Sequence, residues 1–247
     1  MPTGKRKRYK ATVDWQGYEG DKIIVPACVR SPSVRGRNFE ATVKATAEKI
    51  PHGIIMVCDT LDAHNLVGRN DNPRKEAIKL ADEWLKTTEP VIKKYFESYE
   101  IHRWQDVQAD STYDRRLELV QQLYDSDNEV TEIIDGFALK HNLDKKERMA
   151  SKGLSFSLSD EMKRSASYLI DEVAGDAVYR DWFPDIPEAY NGAYFANADL
   201  FNETNDINPS IDLTIPVTLP VTLNRLPKST VIEDCRHNLP AELDPAP

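Results

Sequence analysis

Tyr168 and Glu172 stand four residues apart in the stretch Ser165-Ala-Ser-Tyr-Leu-Ile-Asp-Glu172, where apolar Met162, Ala166, Leu169, Val173 and Ala177 recur every three or four positions. That recurrence predicts a helix. On a helix, side chains four apart lie one above the other, so a phenol and a carboxylate look into the same space. Such a pair can move protons on a bound substrate. The same spacing also serves plain surface Tyr-Glu contacts, so the chemistry depends on what else is brought to that face.

The elements that would do so begin with residues 22–29, Lys-Ile-Ile-Val-Pro-Ala-Cys-Val, a short apolar run of buried-strand type. Pro26 removes one ladder donor and points to an edge or an irregular end. After a loop through Ser31, Ser33 and Arg37, Phe39, Val43, Ala47 and Ile50 mark a helix that stops at Pro51-His-Gly53. Residues 53–59, Gly-Ile-Ile-Met-Val-Cys-Asp, form the next strand. Strand, helix and strand at this spacing make a right-handed βαβ unit, so the fold class is α/β with a Rossmann-like parallel sheet flanked by helices. Ligands in such sheets sit beyond the carboxyl ends of the strands, which here are Cys28 to Ser33 and Asp59 to His64. The glycine signatures of dinucleotide and P-loop sites are missing.

Downstream, Pro73 opens a long amphipathic helix through Ala77, Leu80, Ala81, Trp84, Leu85, Val91, Ile92, Tyr95 and Phe96, which Pro90 should kink or split. Tyr99 to Trp104 reads as a third strand. Tyr113 to Tyr124 and Val130 to His141 read as helices, Asp144 to Arg148 as a charged turn, and Ser159 as the N-cap of the helix bearing Tyr168. Tyr190 to Ala196 can form another strand. The alternation of Ile211 to Leu223 is strand-like, but its prolines argue against a central strand. Three regions follow: a basic arm, 1–20; one catalytic domain, 21–225; and a Pro-rich tail, 226–247, with little apolar periodicity.

The 247 residues, 40% hydrophobic and 30% charged, suit a globular domain with a sizeable core. No apolar run is long enough for a membrane helix and the first residues lack a signal-peptide core, so a cytoplasmic location is expected. Cys28, Cys58 and Cys235 show no metal-type spacing, and no metal is expected. A net charge of -9 disfavours broad nucleic-acid binding but leaves room for local basic clusters such as Lys5 to Lys10.

Four stretches taken together resemble the cyclodipeptide synthases, which divert aminoacyl-tRNAs into diketopiperazines. They are Ile54-Ile-Met-Val-Cys-Asp-Thr60, Ile101-His-Arg-Trp-Gln-Asp-Val107 with Tyr113, Asp127-Asn-Glu-Val130, and Tyr168-x-x-x-Glu172, in the right order over about residues 20–200. The resemblance implies a monomer built like the catalytic domain of class I tyrosyl- and tryptophanyl-tRNA synthetases without their ATP motifs, and an acyltransferase that needs no cofactor. In the family mechanism an active-site side chain takes the first aminoacyl group, a second aminoacyl-tRNA supplies the other, and cyclisation of the dipeptidyl-enzyme releases product. Glu172 would hold the substrate ammonium and Tyr168 would relay protons, with Tyr194, or Tyr190 in its place, assisting cyclisation. Asp59 and Trp104 would line the substrate site. Lys86, Lys93 and Lys94 stand where the family has its basic tRNA helix, with Lys7 and Arg8 of the arm as further tRNA contacts.

The departure is at the nucleophile. Where the family has Gly-x-Ser, this chain has Pro26-Ala27-Cys28, so an ungapped alignment puts Cys28 at the serine position and a short gap would bring Ser31 or Ser33 there. A thiol is competent, because a thioester accepts amine attack readily. The missing Gly-x-Ser, the acidic chain and the Pro-rich tail are similar to the fungal branch whose products contain arginine. The competing reading is a catalytically inactive synthetase-like module that binds tRNA or a protein.

Overall fold

The computed structural model describes residues 9–68, 70–190 and 218–225. Six strands, β1 (Tyr9–Val13), β2 (Lys22–Ala27), β3 (His52–Val57), β4 (Ser98–Arg103), β5 (Glu188–Tyr190) and β6 (Thr218–Arg225), form one sheet in the order β1-β6-β5-β2-β3-β4. Neighbours from β6 to β4 are parallel and only β1 runs antiparallel to its partner. The helices are α1 (Gly36–Ala47), α2 (Pro73–Tyr95), α3 (Trp104–Val107), α4 (Tyr113–Ser126), α5 (Asn128–Ala150) and α6 (Leu158–Trp182), with 3-10 turns at Pro32–Val34 and Thr60–Leu66.

Both faces of the sheet are covered, which is why its central strands read as continuous apolar runs. Ile23, Val25, Ala27, Ile55 and Val57 pack with Phe39 and Val43 of α1 and Ala81 and Trp84 of α2. Ile24, Ile54, Met56 and Cys58 face the other way, onto Val120, Ile134, Ala166, Ile170 and Val173 of α4, α5 and α6. Each fully buried Ile or Val is worth about 1.5–3 kcal/mol, so two such layers suffice to hold the strand ends in place.

Several expectations change. Residues 9–13, assigned above to a basic arm, are a sheet strand with Ala11 and Val13 buried. Pro26 lies in an inner strand. Ile24 donates its N–H to Pro187 while Ala27 accepts from Cys58, so even-numbered residues of β2 face β5, whose described pairing goes no further than Ile24. The missing Pro26 donor therefore interrupts no ladder. β6 also lies inside the sheet despite its proline. Residues 218–220 pair with β5 and 221–225 with β1, so no residue of β6 is paired on both sides and Pro220 falls at the changeover.

Pro90 does not split α2, which runs unbroken from Pro73 to Tyr95. Pro90 and Lys86 are both exposed, so the Lys86 carbonyl that loses its helical donor faces water. The charged stretch Asp144 to Arg148 lies within α5 instead of forming a turn, with Lys145 paired to Glu161 of α6 and the other four side chains exposed. α6 is capped by Ser157, whose hydroxyl accepts from Asp160 N, two residues before the expected Ser159. Of the proposed strand Tyr190 to Ala196, Tyr190 is in β5, and residues 191–196 lie outside the described residues.

Candidate active site

Cys28 follows directly on β2 and lies on the sheet face covered by α6. Its Sγ is 3.7 Å from the Tyr168 Oη, and that hydroxyl donates to Glu172 Oε1 at 3.4 Å. Thiol, phenol and carboxylate thus form a line from two elements that the sequence separates by 140 residues. Burial pushes the Tyr168 phenol well up, and negative charge at Cys28 and Glu172 pushes it further, so it stays protonated and able to donate. Tyr168 and Glu172 nevertheless keep partial solvent access, as groups lining a cleft do.

Of the three nucleophile candidates, Cys28 is the one in contact with Tyr168. Ser31 and Ser33 share a hydroxyl-hydroxyl contact of 2.7 Å, and Ser31 caps the turn at Pro32–Val34 by accepting from Ser33 N. Their hydroxyls serve the loop that leads into α1.

The frame around this line centres on Asp171, the neighbour of Glu172 on the buried side of α6. Its carboxylate accepts from Trp104 Nε1 at 2.8 Å, Tyr113 Oη at 2.7 Å and Gln108 Nε2 at 3.0 Å, and pairs with His64 Nε2 at 2.9 Å. Burial pushes the Asp171 carboxyl up, but hydrogen bonds from His64, Trp104 and Tyr113 together hold it below its ordinary value. One carboxylate thereby ties α6 to α3, α4 and the turn after β3. Trp104 lies directly on Gly175, where an added Cβ would come within 2.2 Å of the ring.

Two residues expected to line the substrate site stand in the frame behind it. Trp104 is 2% exposed beneath α6, and Asp59 is 0% exposed. Asp59 accepts from Arg103 Nε at 2.7 Å and from the amides of Gln105 and Thr60, locking the end of β3 to the start of α3. Both residues brace the site without reaching its surface. His64, by contrast, was marked only by its place after the second central strand, and its ring stands edge-on to Tyr168 with centroids 6.4 Å apart.

One turn beyond Glu172, Asp176 continues the same helix face. Burial raises its carboxyl well above the ordinary value, Glu188 and Glu172 raise it further, and Arg180 opposes them. The buried Arg180 is committed to Glu188 and to the Ile186 carbonyl at 3.0 Å, and Tyr179 also donates to Glu188 at 2.7 Å. Across the cleft, burial pushes Asp62 up to about 6 against the pull of Arg30. Among the described residues no cluster of three or more His, Cys, Asp or Glu side chains could hold a metal ion.

On α2, Lys86, Lys93 and Lys94 are exposed. Lys75 and Lys79 join Lys86 and Lys93 at helical spacings on one face of this continuous helix. Lys94 points a quarter-turn away, with Nζ 3.0 Å from Tyr95 Oη and 3.5 Å from Glu40. Lys7, Arg8 and Tyr194 lie outside the described residues, as does the side chain of Tyr190, whose backbone in β5 pairs with β6. Among the described residues no helix is long and apolar enough to cross a membrane.

No protein-family model matches the chain, and no curated protein does. Solved structures do. A cyclodipeptide synthase (CDPS) from Fluoribacter dumoffii superposes with a TM-score of 0.71 at 19% identity, covering 89% of this chain and 100% of that one. One from Candidatus Glomeribacter gigasporarum, bound to Phe-tRNAPhe, gives 0.63 at 17%, covering 91% and 96%. A Mycobacterium tuberculosis protein, described as showing that cyclodipeptide synthetases are related to type I tRNA synthetases, gives 0.53 at 9%, covering 90% and 95%. At these identities the likeness is one of fold, and the fold is that of the cyclodipeptide synthases.

Proposed function

We propose that the chain is a monomeric cyclodipeptide synthase that joins two aminoacyl groups delivered by tRNA, through a covalent aminoacyl-enzyme on Cys28, with arginine as one of the amino acids. The observation that carries this reading is the contact of the Cys28 thiol with Tyr168, which in turn reaches Glu172.

In this mechanism the Cys28 sulfur attacks the ester carbonyl of the first aminoacyl-tRNA. A thioester C–S bond forms, the C–O bond to the ribose breaks, and the proton of the thiol passes through Tyr168 to the leaving hydroxyl. Glu172 holds the α-ammonium by a charge-assisted hydrogen bond and takes its proton when the amine must attack. The amine then attacks the ester of a second aminoacyl-tRNA: an amide C–N bond forms, the C–O bond to that ribose breaks, and the leaving hydroxyl takes the proton that Glu172 had accepted. The new terminal amine closes on the thioester carbonyl, which frees the cyclic dipeptide and returns the thiol. The tRNA esters are already activated, so no ATP is required. Arginine suits a helix face carrying Glu172 and Asp176, because a guanidinium bound there would pair with Glu172 and favour ionisation of the Asp176 carboxyl that burial now raises. The intact line of thiol, phenol and carboxylate also favours an enzyme over an inactive tRNA-binding module.

The test is to incubate purified protein with one labelled aminoacyl-tRNA. Label should remain on the protein within the peptide holding Cys28 and should leave rapidly in neutral hydroxylamine, as a thioester does. Supplying arginyl-tRNA with a second aminoacyl-tRNA should yield a cyclic dipeptide without ATP. Label on Ser31 or Ser33, or product undiminished in Cys28→Ala, would overturn the nucleophile assignment. No dipeptide from any aminoacyl-tRNA would overturn the enzyme.

A further inference from the structure

Cys28 has a neighbour that the acyl-transfer chemistry does not use. β2 and β3 pair in parallel with Ala27 opposite Val57, and the next pair in that register is Cys28 opposite Cys58. The pairing persists to this step, since Cys58 N donates to Ala27 O at 3.1 Å. Register partners on parallel strands point to the same face, and both cysteines lie in the layer under α6. Adjacent strands are about 4.8 Å apart, within the range that a disulfide spans between Cα atoms. Both cysteines are free thiols.

We infer that Cys28 and Cys58 form a reversible redox pair, in which a peroxide converts the two thiols to a disulfide that removes the Cys28 sulfur from the cleft. Cys28 is half-buried and Cys58 buried, so a peroxide meets Cys28 first. Its sulfur attacks one oxygen of hydrogen peroxide and the O–O bond breaks, leaving Cys28 as a sulfenic acid with release of one water. Cys58 then attacks that sulfur, the S–O bond breaks, a second water leaves, and the S–S bond forms. Two thiols are oxidised by two electrons, and one peroxide is reduced to two waters. Because Cys58 is the cross-strand neighbour of Cys28, the sulfenic acid closes to a disulfide before a second peroxide takes it to the irreversible sulfinic acid. A dithiol reductant restores both thiols.

The cross-link stands on strand register alone, whereas its effect on catalysis rests on the function proposed above. The experiment therefore reads the two separately. The full chain carrying Cys235→Ser is treated with hydrogen peroxide, digested without reduction and mapped by mass spectrometry, and its thiols are counted before and after dithiothreitol. The expected result is a peptide pair joined through Cys28 and Cys58, with both thiols lost and then recovered. In the Cys58→Ser variant, the same treatment should drive Cys28 to sulfinic acid that dithiothreitol does not reverse. Unlinked thiols after peroxide, or equally reversible oxidation of Cys28 with and without Cys58, would overturn the inference. A confirmed cross-link in a protein that makes no cyclic dipeptide would leave the redox pair standing and remove only its proposed effect on synthesis.

Discussion

Glu172→Gln keeps the length and shape of the side chain but removes the charge that would hold a substrate ammonium, so it should abolish product while the thermal melt of the protein stays close to wild type. Normal product formation would reduce the Tyr168 contact to a structural one. Asp62 gives a pH prediction. Its carboxyl titrates at about 6 in the folded chain, above the ordinary value of 3.8, because burial disfavours the charged form. A raised folded value favours the fold while the group is protonated. That contribution is complete below about 3.8 and is lost as pH rises through about 6. Asp62→Asn carries no such penalty, so its stability advantage over wild type should grow between pH 4 and pH 8 toward roughly 3 kcal/mol. Denaturant unfolding across that range checks it, and parallel curves would contradict the assignment.

At the scale of elements, α6 holds the site because it is pinned at two levels. Asp171 fastens it through four partners, and Gly175 lets Trp104 lie against the helix backbone. Gly175→Ala would set a methyl into a ring that α3 and Asp171 already hold. Helix propensity favours alanine by about 1 kcal/mol, but overpacking of this kind typically costs 1–3 kcal/mol or more, so net destabilisation is expected. The check is a lowered melting temperature with altered tryptophan fluorescence. A stabilised variant would show that Trp104 can move aside. The same pinning involves Asp59 and Trp104, expected from the sequence to line the substrate site, whose side chains hold strand ends and helix in register.

Across the whole molecule, a net charge of -9 coexists with a face of α2 carrying Lys75, Lys79, Lys86 and Lys93. Salt dependence follows the phosphates actually neutralised, not the total charge. Replacing Lys86 and Lys93 with Glu should weaken tRNA binding and flatten the slope of log affinity against log salt by roughly 1 to 2, since each lost phosphate contact removes about 0.7–0.9. Filter binding at several salt concentrations measures it. An unchanged slope would exclude this helix as the tRNA surface. Lys94, paired with Glu40 on α1, should matter less.

Local pattern in the sequence was enough to define the βαβ unit, the presence of the helices though not the full extent of α2 and α5, and the shared face of Tyr168 and Glu172. Strand and helix periods are set by backbone sterics within a few residues, so runs such as Ile54 to Val57 and the stripe through Ala166 and Val173 declare themselves. The same local view misread the charged end of α5 and the proline of β6, because a solvated helix face resembles a turn and a proline's effect depends on which neighbour its missing N–H would have met. Nothing local could bring Cys28 against Tyr168, find Asp171 as the hub beside Glu172, or set Cys58 against Cys28. Those relations join residues 30 to 140 positions apart, and they exist only once strand pairing and the packing of α6 on the sheet have brought the distant segments together.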